Sequence, residues 1–235
     1  LDYVMRQSVD LGTAEVGLVT DVEAVAPVDI ARRSLVLGVC DLSEKRVTPI
    51  RVAGLHHVRV WSVPLLHGGN YVALGFVFGG TLVSEVSANG GNAADSSSLC
   101  STSTPSPQCV VYLSDVHAIP AESFAFLQSL HRIDVFIIDC LLGPKEKLFS
   151  HFCVDDVWDA VVALQPKETW CVGMFCTLEH EATNALWRDR VSDHRAACPN
   201  SRVESVACAR DGQEFVACVG TEGSIGRGSF GSRNH

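Results

Sequence analysis

Three short apolar runs dominate the second half of the chain: "CVVYLSD" (109–115), "IDVFIIDCL" (133–141) and "TWCVGMF" (169–175). Their length and their β-branched and aromatic content mark them as strands. The segments between them have a different period. "PAESFAFLQSL" (120–130) carries helical spacing, with Pro120 suited to a first turn. "SHFCVDDVWDAVVALQP" (150–166) places Val154, Val157, Val161, Val162 and Leu164 on one side of a helix. A further helix is predicted over "TLEHEATNALWRDR" (177–190). Strand–helix alternation of this kind confines the chain to a layered α/β domain and excludes an all-β sandwich. Ahead of it lie two more strand patterns, "HVRVWSVP" (57–64) and "YVALGFVFG" (71–79). Gly75 in the second marks a bulge or a close approach. "RVESVACARDGQEFVACVG" (202–220) reads as a hairpin turning at Asp211-Gly212.

The 235 residues suffice for one substantial domain or two small ones, and 47% apolar against 19% charged is a globular balance. Two segments fall outside that balance. Residues 84–108, "SEVSANGGNAADSSSLCSTSTPSPQ", and the tail 221–235 are rich in small polar residues, Gly and Pro. Neither can bury enough apolar surface to offset the entropy of ordering. The first is read as a surface insertion and the second as a disordered tail, which leaves residues 1–220 as one domain. "GSIGRG" (223–228) resembles a dinucleotide loop only superficially, since neither a strand nor a helix frames it. The formal charge is −9 and no basic stripe stands out, which argues against extended nucleic acid as a partner. No apolar run is long enough for a membrane span. The ten cysteines form no CxxC, and several sit inside apolar strand runs as small hydrophobes. This usage is expected of a reducing, cytoplasmic compartment.

Chemistry in layered α/β folds gathers where strands run out into loops. His67 follows "SVPLL", Asp115 follows "VVYLS", Asp139 closes "DVFII", and His151 precedes a helix in "FSHF". Imidazole and carboxylate are the donors that zinc, manganese and iron share, and they suit metal-assisted hydrolysis. Each residue also has a plain structural reading: a strand end, a turn, an acceptor of backbone N–H groups, a helix start. His56, His57 and His117 are read as structural.

In order, "PLLHG", "GFVFG", "VVYLSDVHAIP", "DVFIIDCL", "SHFCVDDVWDAVVALQPKETW" and "LEHEATNAL" resemble the metallo-β-lactamase superfamily. Within it they are most similar to the branch of the phosphodiesterase of bacterial phosphonate breakdown (PhnP-type). The resemblance spans roughly residues 47–220 without the insertion. It implies an α/β (α+β) fold of αββα-sandwich type. By resemblance, His67 is a metal-binding histidine, Asp115 the aspartate that bridges two metals, and His151 a catalytic histidine near the substrate phosphate. "RDG" (210–212) matches the closing "YDG" hairpin.

The sequence departs from this pattern twice. The HxHxDH or HxHxDA signature is absent, and "LDYVMRQ" (1–7) resembles the segment just after it. The resemblance therefore implies a sandwich lacking its N-terminal strands, with further ligands upstream. Where the family has another metal histidine, this chain has Gly173 in "CVGMFC", with Cys176 three residues on; His180 matches an accessory position. The implied activity is that of a metal-dependent hydrolase, phosphodiesterase-like in the full-length protein. It would use zinc or manganese, in a binuclear site, on a small phosphodiester or nucleotide-like substrate. The alternative is an inactive fragment, or a binding or scaffold relative that has lost part of the site. Uncovered strand surface in a truncated sandwich would favour a homo-oligomer.

Overall fold

The computed structural model describes residues 15–20, 33–39, 46–51, 58–69, 71–89 and 108–220. The start "LDYVMRQ", His56, His57, residues 90–107 of the insertion and the tail 221–235 lie outside the described residues. An antiparallel pair, β1 (Glu15–Thr20) and β2 (Arg33–Val39), forms a sheet of its own. The second sheet has seven strands in sequence order: β3 (Thr48–Ile50), β4 (Val60–Leu66), β5 (Val72–Gly79), β6 (Cys109–Leu113), β7 (Val135–Asp139), β8 (Glu168–Val172) and β9 (Ser205–Cys208). It is mixed. Strands β3 to β6 pair antiparallel, and β6 to β9 pair parallel.

The switch follows from the connections. A short turn joins β4 to β5, as an antiparallel pair allows, whereas parallel neighbours need a crossover. The crossovers are α2 (Ala121–Ser129), α3 (Val154–Leu164) and α4 (His180–Ala197). All three helices bury residues in one cluster with the inward residues of the sheet: Leu127 of α2, Val157 and Val161 of α3, Trp187 and Val191 of α4. The sheet contributes Val63, Leu65, Val77, Val111, Leu113, Phe136, Ile138 and Cys171 to that cluster. Strand β5 shows the alternation cleanly, its odd positions buried and its even ones half-buried. Gly75 is a close approach and not a bulge. The β4–β5 register is unbroken there, and a Cβ on Gly75 would sit 2.4 Å from Leu113 Cδ2.

Two sequence expectations change. Residues 202–220 form no hairpin. Strand β9 ends at Cys208, and the chain turns at Asp211-Gly212, where Gly212 has φ +75°. It then leaves the sheet edge, because Gln108 satisfies Cys218 on both sides: Gln108 N donates to Cys218 O at 2.6 Å and Cys218 N to Gln108 Oε1 at 2.9 Å. Phe215 and Val216 are exposed as a result. The insertion opens with a short helix, α1 (Val83–Asn89), fastened by the Arg59–Glu85 ion pair at 2.7 Å. All eight described cysteines are free. No helix among the described residues is long and apolar enough to cross a membrane.

Candidate metal centre

The carboxyl ends of β6, β7 and β8 come abreast because those strands run parallel in register. Antiparallel β4 delivers its own C-terminal end to the same edge, where Leu66 pairs with Ala118 beyond β6. Backbone bonds hold the two loops together: Leu66 N donates to Ala118 O at 3.0 Å, and His117 N to Leu66 O at 2.8 Å. His67 and Asp115 are thereby brought to one place across 48 residues of sequence. His151 arrives from the loop before α3.

The three residues form one cluster. One donor atom from each of His67, Asp115 and His151 lies within 4.8 Å of the others, and all three are half-buried. Among the described residues no other group of three metal-ligating side chains is this close. The His67 and His151 rings meet edge to face, with centroids 4.7 Å apart. Asp115 sits at φ 54°, a left-handed backbone that Asp tolerates better than most residues and that marks a constrained turn.

The histidines are also oriented. His67 Nδ1 lies 2.8 Å from the carbonyl oxygen of Ser150. A carbonyl only accepts, so Nδ1 carries the proton and Nε2 presents its lone pair. His151 Nδ1 donates to Asp139 Oδ2 at 2.6 Å, and the Asp139 side chain is 4% exposed. Burial pushes the Asp139 carboxyl above its ordinary value, the bond to His151 pulls it down, and nearby Asp115 adds to the push. An oxygen acceptor on Nδ1 of each ring is the arrangement that orients histidine ligands at metal sites. His117 has the opposite arrangement. Its Nδ1 accepts from Gly68 N at 3.0 Å, which braces the His67 loop. Sequence reading took it as merely structural, and nothing in its local sequence signals this link.

Gly173 is not an open ligand position. It has φ +77°, and a Cβ there would stand 2.7 Å from Asp139 Oδ1. A histidine could not occupy this backbone without displacing the acid that holds His151. Cys176 is exposed and outside the cluster. His180, on the first turn of α4, pairs through Nδ1 with Asn184 Nδ2 at 3.1 Å.

The fold and the cluster together define a mixed α/β protein with a His–Asp–His cluster at the strand ends. No family model matches the sequence, and no curated protein does. Among solved structures the chain is similar to a diphosphatase from the PhnP family, at 19% identity and a TM-score of 0.46, covering 74% of this chain and 48% of that one. It is also similar to the short form of human tRNase Z (11% identity, 72% and 46% covered, TM-score 0.40). A third is the metallo-β-lactamase fold protein YhfI from Bacillus subtilis (11% identity, 69% and 49% covered, TM-score 0.40). The chain spans about half the length of these three structures.

Proposed function

We propose that the protein is a metal-dependent hydrolase of metallo-β-lactamase type, acting on small phosphodiesters, with one divalent zinc or manganese ion held by His67, Asp115 and His151. The observation that carries this reading is the pair of oriented imidazoles beside a carboxylate. Two histidines and one acid match the donor chemistry of a site that keeps positions open for substrate. A divalent ion bound there supplies Lewis-acid polarisation of a phosphoryl oxygen. Asp139 holds His151 in the ligating tautomer, and the Ser150 carbonyl does the same for His67. The strand-end loops exclude part of the solvent. His151 is assigned here as the third donor through Nε2, since its Nδ1 is committed to Asp139; the same nitrogen is the one through which a catalytic histidine would pass a proton to substrate.

The lack of room for a side chain at Gly173, where an added Cβ would press on Asp139, favours a second reading, a relative that keeps the fold and a reduced site without turnover. The test is metal content by emission spectroscopy, paired with hydrolysis of bis(p-nitrophenyl) phosphate in excess manganese. Near-stoichiometric metal with turnover, both lost in His67→Ala, is the expected result. Metal without turnover would favour the non-catalytic relative. Absence of metal would remove the hydrolase reading for this chain and favour a fragment or a binding relative that has lost the site.

A further inference from the structure

Large apolar side chains left in water are ordinary when scattered and informative when they gather. Here Tyr71, Leu148, Phe149 and Phe175 are exposed, and all four belong to loops at the metal-site edge of the sheet. Phe149 is the extreme case at 74% exposed. It is nevertheless placed. Its ring rests on Gly68, so that a Cβ there would be 3.1 Å from Cε2, and only a glycine at φ +67° leaves that seat open. The next residue, Ser150, is tied to the His67 ring. Tyr71 meets His67 edge to face at 6.0 Å, and its carbonyl accepts from His67 N at 2.9 Å. Two exposed rings thus stand beside the first histidine of the cluster, both anchored by that histidine's own loop.

We propose that Tyr71 and Phe149 form a stacking subsite for a flat aromatic ring of the nucleobase class, carried by the phosphate ester that the cluster binds. The proposal rests on the phosphodiester reading above. Rigid rings with two torsions lose little freedom on binding, and their faces gain most against another flat ring. An anion-binding cation centre beside such rings fits a ligand that is phosphate at one end and planar at the other.

The test is calorimetric titration of the manganese-loaded chain with ribose 5-phosphate, adenosine, adenosine 5′-monophosphate and octyl phosphate. We expect the monophosphate to bind about tenfold more tightly than ribose 5-phosphate, as one stacked base allows. In Phe149→Ala and in Tyr71→Ser the ratio of the two affinities should fall toward one, and Phe149→Trp should keep it. Adenosine binding without ribose 5-phosphate binding would uphold the ring subsite and remove the phosphate reading. Equal affinity for the two phosphates would overturn the subsite and leave the phosphate reading standing, and so would octyl phosphate binding as well as the nucleotide. Binding of none of the four would overturn both.

Discussion

Single residues carry the site, and some of them could be read from the chain alone. His67 and Asp115 were legible as candidate ligands because they stand where apolar runs stop, whereas His151 was read through the resemblance as a catalytic histidine ahead of a helix and joins them only in the fold. The bond from His151 to Asp139 was not legible. It exists only because β6, β7 and β8 end abreast, a fact of pairing and not of composition. The same contact governs Gly173. An L-residue in the left-handed region costs about 1–2 kcal/mol, and here its Cβ would also press on Asp139 Oδ1 at 2.7 Å. Gly173→Ala should therefore lose about 1–3 kcal/mol in urea unfolding. It should also weaken manganese binding, by moving the acid that orients His151. Asp139→Asn separates the two effects. It keeps the shape but removes the charge, and loss of such an orienting partner costs about 10–100-fold in metal affinity. If Asp139→Asn bound manganese as tightly as the parent chain, the orienting role would fall.

Among the elements, α3 shows how local chemistry sets an end. Cys153 and Asp156 form a reciprocal cap, with Cys153 N donating to Asp156 Oδ2 at 3.0 Å. Asp155 in the same turn accepts from Arg190 Nη2 of α4 at 2.5 Å and from Lys145 N at 2.7 Å. The Arg190 guanidinium holds the Asp155 carboxyl below its ordinary value near 3.8, and the Lys145 N–H assists while partial burial opposes. A carboxyl lowered on folding stabilises the protein above its unfolded pKa, and the gain fades as pH falls through the folded one. Asp155→Asn should thus lower stability at neutral pH and converge with the parent chain only in acid, once pH has fallen through the lowered folded pKa of Asp155 and both chains are neutral there. The pair is partly solvated, so the loss at neutral pH should be modest. Parallel curves across the whole pH range would show that the charge contributes nothing. Arg190 itself lies where sequence reading ended this helix, yet α4 runs on to Ala197. The charged stretch "RDRVSDHR" (188–195) hides Val191, whose burial against the sheet continues the helix. The misread hairpin is the converse case. An Asp-Gly turn signal was real, but the partner of the strand-like segment after it lay at Gln108.

At the scale of the molecule, the three donors belong to both halves of the sheet. His67 leaves the antiparallel half, Asp115 follows the strand where pairing changes, and His151 enters from the parallel half. An ion shared by all three fastens the halves to each other, so its binding should appear as global stability. A ligand that binds only the folded chain adds about 2.7 kcal/mol at a hundred times its dissociation constant. For a chain of this size, each kcal/mol moves the midpoint by about 2–4 °C, which gives a rise of roughly 5–10 °C. Manganese is the ion to use. Zinc would also be captured by the ten cysteines of the unfolded chain, and binding to the unfolded state cancels the gain. The rise should vanish on chelation and be absent in the double variant His67→Ala, Asp115→Ala. The strand ends are placed by the apolar core, so the metal-free chain should still unfold cooperatively at the lower midpoint. An unchanged midpoint in saturating manganese, or an equal rise in the double variant, would mean that the three residues hold no common ion.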